Sequence, residues 1–212
     1  MPPEYSPEPT DASTFTAQYD AFYSRFAAVY DQVVKFLPLW RNWLDNVLPC
    51  IQGPKVLEVS FGTGYLLTRY AGQFEAYAID LNPDLTRIAS DNLLQHNLSA
   101  HLQVANVEHL PYPGGQFDSV LNTMAFSAYP DGNLAMAEIT RVLKPGGRLV
   151  MVDINYPRNA NPAGTLLTRG WMAGGDIIRD IPGLLSEFGY QFTDQEVGGF
   201  GSVHLYVATN PG

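Results

Sequence analysis

The chain has 212 residues, of which 46% are hydrophobic and 16% charged, and this composition excludes a largely disordered, collagen-like or coiled-coil protein. With 21 acidic and 12 basic residues the formal net charge is −9, which disfavours a nucleic-acid substrate because an acidic surface repels a phosphate backbone. The single cysteine, Cys50, excludes an internal disulfide framework and a multi-cysteine zinc site.

The first 50 residues predict a tail followed by helices. Residues 1–14 contain four prolines among acidic residues, so we expect a disordered or loosely docked tail. From residue 15, apolar side chains recur every three or four positions, which predicts helices over 15–50, interrupted at Pro38 and closed by Pro49. Because no secretory signal and no run of 18 apolar residues is found, we expect no membrane span and a cytoplasmic protein.

From residue 53 onward, short apolar runs alternate with helical stretches. Strands are predicted at 55–59, 75–79, 101–105, 117–122 and 148–154. Helices are predicted at 65–71, 83–95 and 133–143. This alternation indicates βαβ units in a parallel, doubly wound α/β sheet. Two more strands, at 190–197 and 203–209, are joined by a short glycine-rich connection that favours antiparallel pairing.

The first predicted strand runs into a glycine-containing turn, in the sequence VLEVSFGTG over residues 56–64. Gly62 and Gly64 let the backbone approach a ligand closely, and the helix that follows offers N–H groups to an anionic group such as a carboxylate. A dinucleotide-binding loop would have a third glycine where Leu67 stands, which argues against a pyrophosphate-bridged cofactor. Glu58 would repel a pyrophosphate but suits a cofactor that carries a cation, such as the amino group or sulfonium of S-adenosylmethionine.

Asp80 supports the same interpretation. It ends the second predicted strand, where an acidic side chain can accept hydrogen bonds from both hydroxyls of a ribose. Glu58 and Asp80 would then bracket an adenosine-type ligand from neighbouring strand ends. The alternative, that Asp80 caps the following helix, is compatible with this role.

These features resemble the motifs of class I S-adenosylmethionine-dependent methyltransferases, in particular the small-molecule group that includes the ubiquinone and menaquinone C-methyltransferases. Two further motifs match, NVEHLPYP at 106–113 and RVLKPGG at 141–147, and the resemblance covers about residues 19–209. It implies a Rossmann-like, doubly wound sheet of seven strands, mostly parallel, with a C-terminal antiparallel hairpin and an N-terminal helical cap. The single methyltransferase domain, 15–212, would comprise the cap at 15–50, a cofactor-binding core at 53–155 and a substrate-side segment with the closing hairpin at 156–212.

The resemblance also implies which residues bind S-adenosyl-L-methionine, or S-adenosyl-L-homocysteine as the product. In the family, the glycine turn and the first acidic residue hold the methionyl part, the second acidic residue binds the ribose, and the next motif borders the adenine. Tyrosines of the N-terminal cap often reach the cofactor. The positions that match are Glu58, Ser60, Gly62, Gly64, Asp80, Leu81, Asn106, Val107, Asn122, Tyr19 and Tyr30.

Three positions depart from the family pattern. Ser60 stands where the family has the first glycine of the turn, so its Cβ would shift the cofactor slightly or require a relaxed backbone. Asn106 replaces the usual aspartate at the adenine position, and an amide can still donate and accept hydrogen bonds. Ser127 and Ala128 replace a common histidine pair; if that pair shapes the acceptor pocket in relatives, the substrate assignment does not transfer.

The acceptor pocket is expected between the N-terminal helices and residues 156–188. Its candidate lining residues are Tyr19, Tyr23, Phe126, Tyr129, Trp171 and Arg179, with Asp153 and Asn155 of the fifth strand facing the same rim. For the aromatic residues the alternative is packing in the core. For Arg179 the alternative is a surface ion pair with Asp176 or Asp180.

The leading hypothesis is therefore an enzyme that transfers a methyl group from S-adenosylmethionine to a small-molecule acceptor by in-line displacement. The alternative is a catalytically inactive S-adenosylmethionine-binding module that acts as a scaffold or sensor. A NAD-dependent oxidoreductase is a weaker third choice, opposed by Leu67 and Glu58. No cluster of metal ligands is apparent in the sequence, so no metal is expected. The residues leave open the acceptor, the atom that is methylated, any general base and the oligomeric state.

Overall fold

A computed structural model describes residues 5–17, 21 and 38–212. This part of the chain forms one seven-stranded sheet in the order β3-β2-β1-β4-β5-β7-β6. The strands are β1 (Lys55–Val59), β2 (Glu75–Asp80), β3 (His101–Val104), β4 (Phe117–Thr123), β5 (Leu143–Ile154), β6 (Gln191–Gly198) and β7 (Val203–Thr209). Strands β1 to β5 are parallel to one another, and β7 is antiparallel to both β5 and β6. The predicted fold, a mostly parallel doubly wound sheet with a closing antiparallel hairpin, is confirmed.

Besides a helical stretch at residues 12–17, six helices accompany the sheet in the described residues. They are α1 (Pro38–Asp45), α2 (Leu67–Tyr70), α3 (Pro83–Gln95), α4 (Gly132–Val142), α5 (Pro162–Ala173) and α6 (Ile181–Glu187). None of them is long and apolar enough to cross a membrane.

Apolar side chains of alternate residues in the central strands form a core on each face of the sheet. On one face, Leu57 of β1 belongs to the same buried cluster as Ile139 of α4 and Leu185 of α6. On the other face, Val56 of β1 belongs to a cluster with residues of α1, α2 and α3. Because side chains alternate along a strand, the near-continuous apolar run KVLEV covers both faces and is typical of a parallel strand buried between helices.

The strand order reverses at β1, which lies between β2 and β4. In an open α/β sheet, ligands bind at such a point, outside the carboxyl ends of the strands. The start of α3 is fixed at the same edge, because the Asn82 side chain accepts hydrogen bonds from the backbone N–H groups of Asp84 and Leu85, at 2.9 and 3.0 Å. Pro83 at the first helical position adds a backbone angle that suits a helix start.

The structure differs from the sequence predictions mainly at element ends. The helix predicted at 65–71 is shorter, Leu67–Tyr70, because the turn after β1 occupies the preceding residues. Strand β5 begins at Leu143 instead of 148, with a register shift opposite Phe117 and Ser119, so the KPGG segment is an irregular start of the strand. Most of the predicted helical cap lies outside the described residues; α1 ends at Asp45 and residues Leu48–Cys50 form a 3₁₀ turn.

Candidate functional site

The turn after β1 has a left-handed backbone at three positions. The φ angles of Ser60, Gly62 and Gly64 are 58°, 57° and 76°. A Cβ on Gly64 would lie 2.8 Å from the Cβ of Ala89 in α3, so this glycine allows the turn to pack on the helix. Ser60 has a side chain, and the left-handed backbone costs such a residue about 1–2 kcal/mol.

Glu58, the residue before the last of β1, has a side chain enclosed by protein. It is 1% exposed, and its Oε2 atom has no hydrogen-bond partner among the described residues. Burial raises the pKa of Glu58 to about 8; the Tyr70 hydroxyl beside it opposes this rise and the negative charge of Asp80 adds to it. The Tyr70 hydroxyl and Glu58 Oε2 nevertheless form no hydrogen bond of ordinary geometry. A buried acceptor without a donor is costly, so this atom is suited to a ligand that brings one.

Asp80 ends β2 and holds the turn after β1 in place. Its Oδ2 accepts a hydrogen bond from the backbone N–H of Gly62 at 2.8 Å, and its Oδ1 accepts one from the backbone N–H of Asn82 at 2.9 Å. Carboxylate oxygens accept hydrogen bonds, which is the property that binding of a ribose hydroxyl requires. Because β1 and β2 are parallel neighbours, Glu58 and Asp80 both lie near the carboxyl end of their strands, at the same edge of the sheet.

A cavity opens at this edge, at the carboxyl ends of β1, β2 and β4, and we call it the cofactor cavity. Its described lining residues are Thr16, Ser60, Gly62, Asp80, Leu81, Asn82, Leu85, Ala105, Asn106, Val107, Thr123, Met124, Ala125, Ala128, Tyr129 and Pro130. A narrow cleft adjoins it, because Ser60, Gly62 and Thr123 line both. Glu58 lines this cleft.

The structure thus brings together most of the residues predicted to bind a cofactor. Those that line the cofactor cavity or the cleft are Glu58, Ser60, Gly62, Asp80, Leu81, Asn106 and Val107. Gly64 and Asn122 are absent from the described lining of both. Gly64 serves the packing of the turn, and Asn122 is completely buried behind Tyr129.

Asn106 and Leu81, both predicted to lie near the adenine, differ in their surroundings: the Asn106 side chain is hydrogen-bonded and the Leu81 side chain is exposed. Asn106 Oδ1 accepts a hydrogen bond from the backbone N–H of Glu108 at 2.9 Å, so the side chain caps the 3₁₀ turn Val107–His109. Leu81 is 41% exposed although it is apolar, and it lies at the cavity wall. An exposed leucine in this place offers a surface on which a flat ring can stack.

Ser60 has a specific partner, which explains how a serine is accommodated in the turn. Its Oγ lies 2.8 Å from the Tyr129 hydroxyl, and that hydroxyl accepts a hydrogen bond from Asn122 Nδ2 at 2.7 Å. Burial raises the pKa of Tyr129, so the hydroxyl keeps its proton. Asn122 Oδ1 is a further buried acceptor without a partner in the described chain. Tyr129 therefore lines the cofactor cavity and is part of a polar chain under the turn, and its predicted role in an acceptor pocket stays a prediction.

Two predicted acceptor-pocket residues lie elsewhere. Phe126 is 1% exposed and packs edge-on against Tyr129, with ring centroids 5.5 Å apart, so packing in the core, the alternative interpretation, describes it. Trp171 of α5 packs against Trp40 of α1, with ring centroids 6.1 Å apart, and is not part of the described cavity lining. Asp153 is also buried, because its Oδ2 accepts the backbone N–H of Phe126 at 2.7 Å instead of facing the rim.

Arg179 was predicted either to line the acceptor pocket or to form a surface ion pair with Asp176 or Asp180, and the structure shows neither arrangement. It is 7% exposed and forms an ion pair with Glu8 of the N-terminal segment, where Nη2 lies 2.7 Å from Oε2, and not with Asp176 or Asp180. Its guanidinium also donates to the carbonyl oxygens of Phe126 and Tyr129. The arginine therefore connects the N-terminal segment to the loop that forms one wall of the cofactor cavity.

The lining also contains residues that the sequence did not indicate. They are Thr123, which ends β4, and Met124, Ala125 and Pro130, which follow it; this position in a parallel sheet was the available signal. Thr16 comes from the N-terminal segment and carries no recognisable pattern. The predicted roles of Tyr19, Tyr23 and Tyr30 concern positions outside the described residues.

Comparison with known proteins agrees with this geometry. Residues 57–151 match a family model described as a methyltransferase domain. A ubiquinone/menaquinone biosynthesis C-methyltransferase of Bordetella avium is 33% identical over 150 residues, which cover 69% of this chain and 56% of that protein. The chain spans about half the length of the curated relatives that it matches.

Solved structures share the fold at low identity. An S-adenosylmethionine-dependent methyltransferase of Thermotoga maritima superposes with a TM-score of 0.69 and 14% identity, covering 90% of this chain and 99% of the other. The [4+2]-cyclase SpnF superposes with a TM-score of 0.66 and 20% identity, covering 81% and 80%.

The matched region, residues 57–151, runs from β1 into β5 and so includes the glycine turn, Asp80, Asn106 and the loop after β4. The prediction of S-adenosyl-L-methionine as the cofactor is confirmed by this match. The sheet order, the turn between two acidic strand ends and the sequence relatives lead to one conclusion: the chain contains a methyltransferase domain with the class I fold, and it is similar to the ubiquinone/menaquinone C-methyltransferases.

Proposed function

We propose that this protein transfers the methyl group of S-adenosyl-L-methionine to a small-molecule acceptor by in-line displacement. The observation that carries the proposal is the unpartnered, buried Oε2 of Glu58 beside Asp80 and a left-handed turn. A buried acidic group without a donor suits a ligand with a cationic amino group, and Asp80 offers acceptors to a ribose. These two features together fit an amino acid joined to a nucleoside.

The residues present fit this cofactor in chemical terms. The cofactor's ammonium group would supply a donor and a positive charge to Glu58, which would lower the pKa of the carboxyl from its value of about 8 and favour the carboxylate. Asp80 is already oriented by the backbone N–H groups of Gly62 and Asn82, so its carboxylate is held in a fixed direction at the cavity wall. Leu81 and Val107 would border the adenine, and the Asn106 amide would lie beside its edge.

The chain's own residues contribute positioning more than chemistry. When bound, the cofactor supplies a methyl group that its sulfonium charge has already activated. Glu58 and Asp80 would hold the two ends of the cofactor at fixed strand ends, and the loop from Thr123 to Pro130 would hold the acceptor on the opposite side. Correct alignment of two reactants can contribute about 7–11 kcal/mol to the lowering of a barrier.

The lining supports an acceptor with an apolar body. After β4, the described lining of the cofactor cavity includes Met124, Ala125, Ala128 and Pro130, and the Tyr129 hydroxyl takes part in the polar chain below the turn. Apolar walls with a few placed polar groups are typical of sites for small organic molecules. This favours a small molecule over a charged polymer as the acceptor.

The second candidate function is a module that binds the cofactor without methyl transfer, acting as a scaffold or sensor. It is favoured by Ser127 and Ala128, which stand where many relatives have two histidines, and by the cyclase on the same fold, since one fold supports different reactions. Both candidates require the cofactor cavity, so they differ only in turnover.

The experiment combines binding with a screen for turnover. Calorimetry with S-adenosyl-L-homocysteine and with adenosine should give saturable binding of both, the former tighter because it has an amino acid part for Glu58. A screen of quinols, phenols, amines and lipids then follows the release of S-adenosyl-L-homocysteine. Turnover with any acceptor supports the enzyme, and binding without turnover across the panel supports the module. Absence of binding in a folded sample contradicts both.

A further inference from the structure

A second cavity lies at the carboxyl edge of the sheet, on the side of the antiparallel hairpin, and we call it the hairpin cavity. Its described lining residues are Tyr5, Asn155, Tyr156, Pro157, Arg158, Ala160, Pro162, Thr165, Leu166, Arg169, Pro182, Asp194 and His204. None of these residues belongs to the described lining of the cofactor cavity.

Arg179 is hydrogen-bonded to lining residues of both cavities. Its guanidinium donates to the carbonyl oxygens of Tyr129 and Pro130, which line the cofactor cavity. Its own carbonyl oxygen accepts a hydrogen bond from Asn155 Nδ2 at 3.3 Å, and Asn155 lines the hairpin cavity. The walls of the two cavities are therefore connected through one buried arginine.

A buried histidine, His204, lines the hairpin cavity, and one of its ring nitrogens has no hydrogen-bond partner among the described residues. His204 is 1% exposed, and its Nδ1 lies 2.7 Å from Asp194 Oδ1. Its ring stacks on that of Tyr206, with centroids 5.7 Å apart and an interplanar angle of 14°. The Nε2 atom has no hydrogen-bond partner in the described part of the chain. Buried polar atoms are nearly always paired, so an unpaired one in a cavity-lining residue points to a ligand.

The charges around this cavity favour an anion. Arg158 and Arg169 line it, whereas Asp194 is the one carboxylate in its described lining and is already paired with His204. This is unusual in a chain with 21 acidic and 12 basic residues. Arg158 is partly engaged, because its Nε lies 3.8 Å from Glu196 and its Nη1 donates to the Asp194 carbonyl oxygen. Arg169 forms no ion pair within the described ranges and is exposed to solvent.

We propose that the hairpin cavity is a binding site for a small anion that carries a carboxylate or a phosphate group. An N–H at Nε2 of His204 would donate to the anion, while Asp194, paired with Nδ1, fixes the orientation of the ring. Arg169 at the rim would supply a second, planar set of donors, which suits carboxylate and phosphate oxygens. The proposal does not depend on methyl transfer, because the site shares no lining residue with the cofactor cavity among those described.

The test uses the full chain, whose four histidines can be followed separately by nuclear magnetic resonance of the imidazole rings. At constant pH and ionic strength, the protein is titrated with inorganic phosphate and, in a second sample, with acetate. We expect a saturable shift of the His204 signals with at least one of the two anions and no saturable shift of His96 or His101. The anion that saturates at the lower concentration identifies the group that the site prefers.

Two variants make the outcome decisive. Arg169→Gln, at an exposed helix position, should weaken the saturable response about tenfold, as expected for the loss of one charge-assisted contact. Arg87→Gln, an exposed arginine of α3 far from the hairpin, is the matched control and should leave it unchanged. Parallel shifts of all four histidines, no saturation at about 10 mM of either anion, or equal responses of the two variants would overturn the proposal.

Discussion

The cofactor cavity and the hairpin cavity open at the same edge of one sheet, but they are built in different ways. The cofactor cavity depends on a contiguous turn after β1 and on single acidic residues at strand ends. The hairpin cavity depends on side chains from distant parts of the chain, such as Tyr5, Asn155 and His204. In the first, the main chain itself must approach the ligand, which requires glycines at fixed spacing; in the second, ordinary side chains meet across antiparallel strands.

This difference explains why one cavity was recognisable from the sequence. A left-handed turn restricts residue choice, so Gly62 and Gly64 are visible as a pattern. By contrast, His204 meets Asp194 because β6 and β7 pair in a register that places His204 opposite Glu196 and diagonal to Asp194. In the sequence, each of these two residues is typical of a surface or strand position, and only the pairing of β6 with β7 brings them into contact.

The largest expected effect tests the role of Glu58. Glu58→Gln should weaken binding of S-adenosyl-L-homocysteine by about 3 kcal/mol, because the amino group loses a buried carboxylate partner. Binding of adenosine, which has no amino acid part, should be nearly unchanged. Calorimetry with the two ligands measures the contrast, and Glu75→Gln at the start of β2, an exposed glutamate, is the matched control.

Glu58→Gln should weaken ligand binding, but it should raise the free energy of unfolding of the cofactor-free protein at high pH. The pKa of Glu58 is about 8 in the folded protein, above its ordinary value of 4.5, so the folded state binds more protons than the unfolded state between these values. The free energy of unfolding should therefore fall as pH rises from about 4.5 to 8. Glu58→Gln cannot titrate, so it should not show this fall in the free energy of unfolding. The stability of the variant relative to wild type should therefore be higher at pH 8 than at pH 5. Equal effects at both pH values, with normal binding, would contradict the role of Glu58.

The next effect concerns Asp80. Asp80→Ala should weaken binding of both adenosine and S-adenosyl-L-homocysteine by about 1–3 kcal/mol, because both ligands contain the ribose. Asp91→Ala, an exposed aspartate of α3, is the control. Since Asp80 lies away from the hairpin cavity, the response of His204 to phosphate should be the same in Asp80→Ala as in wild type. A change in that response would show that the two cavities are not independent.

The fold was predictable from the sequence to a greater extent than the site. The alternation of apolar runs and helices predicts β1 to β4 within about one residue, because buried parallel strands need apolar side chains on both faces. The start of β5 was missed because its KPGG segment has the residue types of a turn. At the site, Arg179 was misjudged, since its partner Glu8 is far away in sequence and only the folded chain brings them together.

A smaller effect is expected at the ion pair between Glu8 and Arg179, the arginine that connects the walls of the two cavities. Glu8→Gln leaves the buried guanidinium of Arg179 with carbonyl partners but no carboxylate, and should lower the free energy of unfolding by about 1 kcal/mol, since Glu8 is itself half exposed. It should also weaken binding of S-adenosyl-L-homocysteine slightly, because Arg179 holds the loop that includes Tyr129. Chemical denaturation and calorimetry measure both effects, with the exposed Glu187→Gln as control. Unchanged stability would mean that the N-terminal segment does not support the cavity wall.

The smallest expected effect is at Ser60, where two contributions oppose each other. Ser60→Gly removes a left-handed serine, which should stabilise the turn by about 1 kcal/mol, but it also removes the hydrogen bond to the Tyr129 hydroxyl, worth about 1 kcal/mol. The net change in unfolding free energy should therefore be within about 0.5 kcal/mol of zero.

Tyr129→Phe separates the two contributions. It keeps the left-handed serine but leaves Asn122 Nδ2 without its acceptor, so it should destabilise the protein by about 1–3 kcal/mol. If the polar chain is real, the double variant should be less destabilised than the sum of the single changes, because Ser60→Gly removes a hydroxyl that Tyr129→Phe has left unpaired. Additive effects would mean that Ser60 and Tyr129 do not interact, and the serine in the turn would then lack the compensation that its backbone geometry requires.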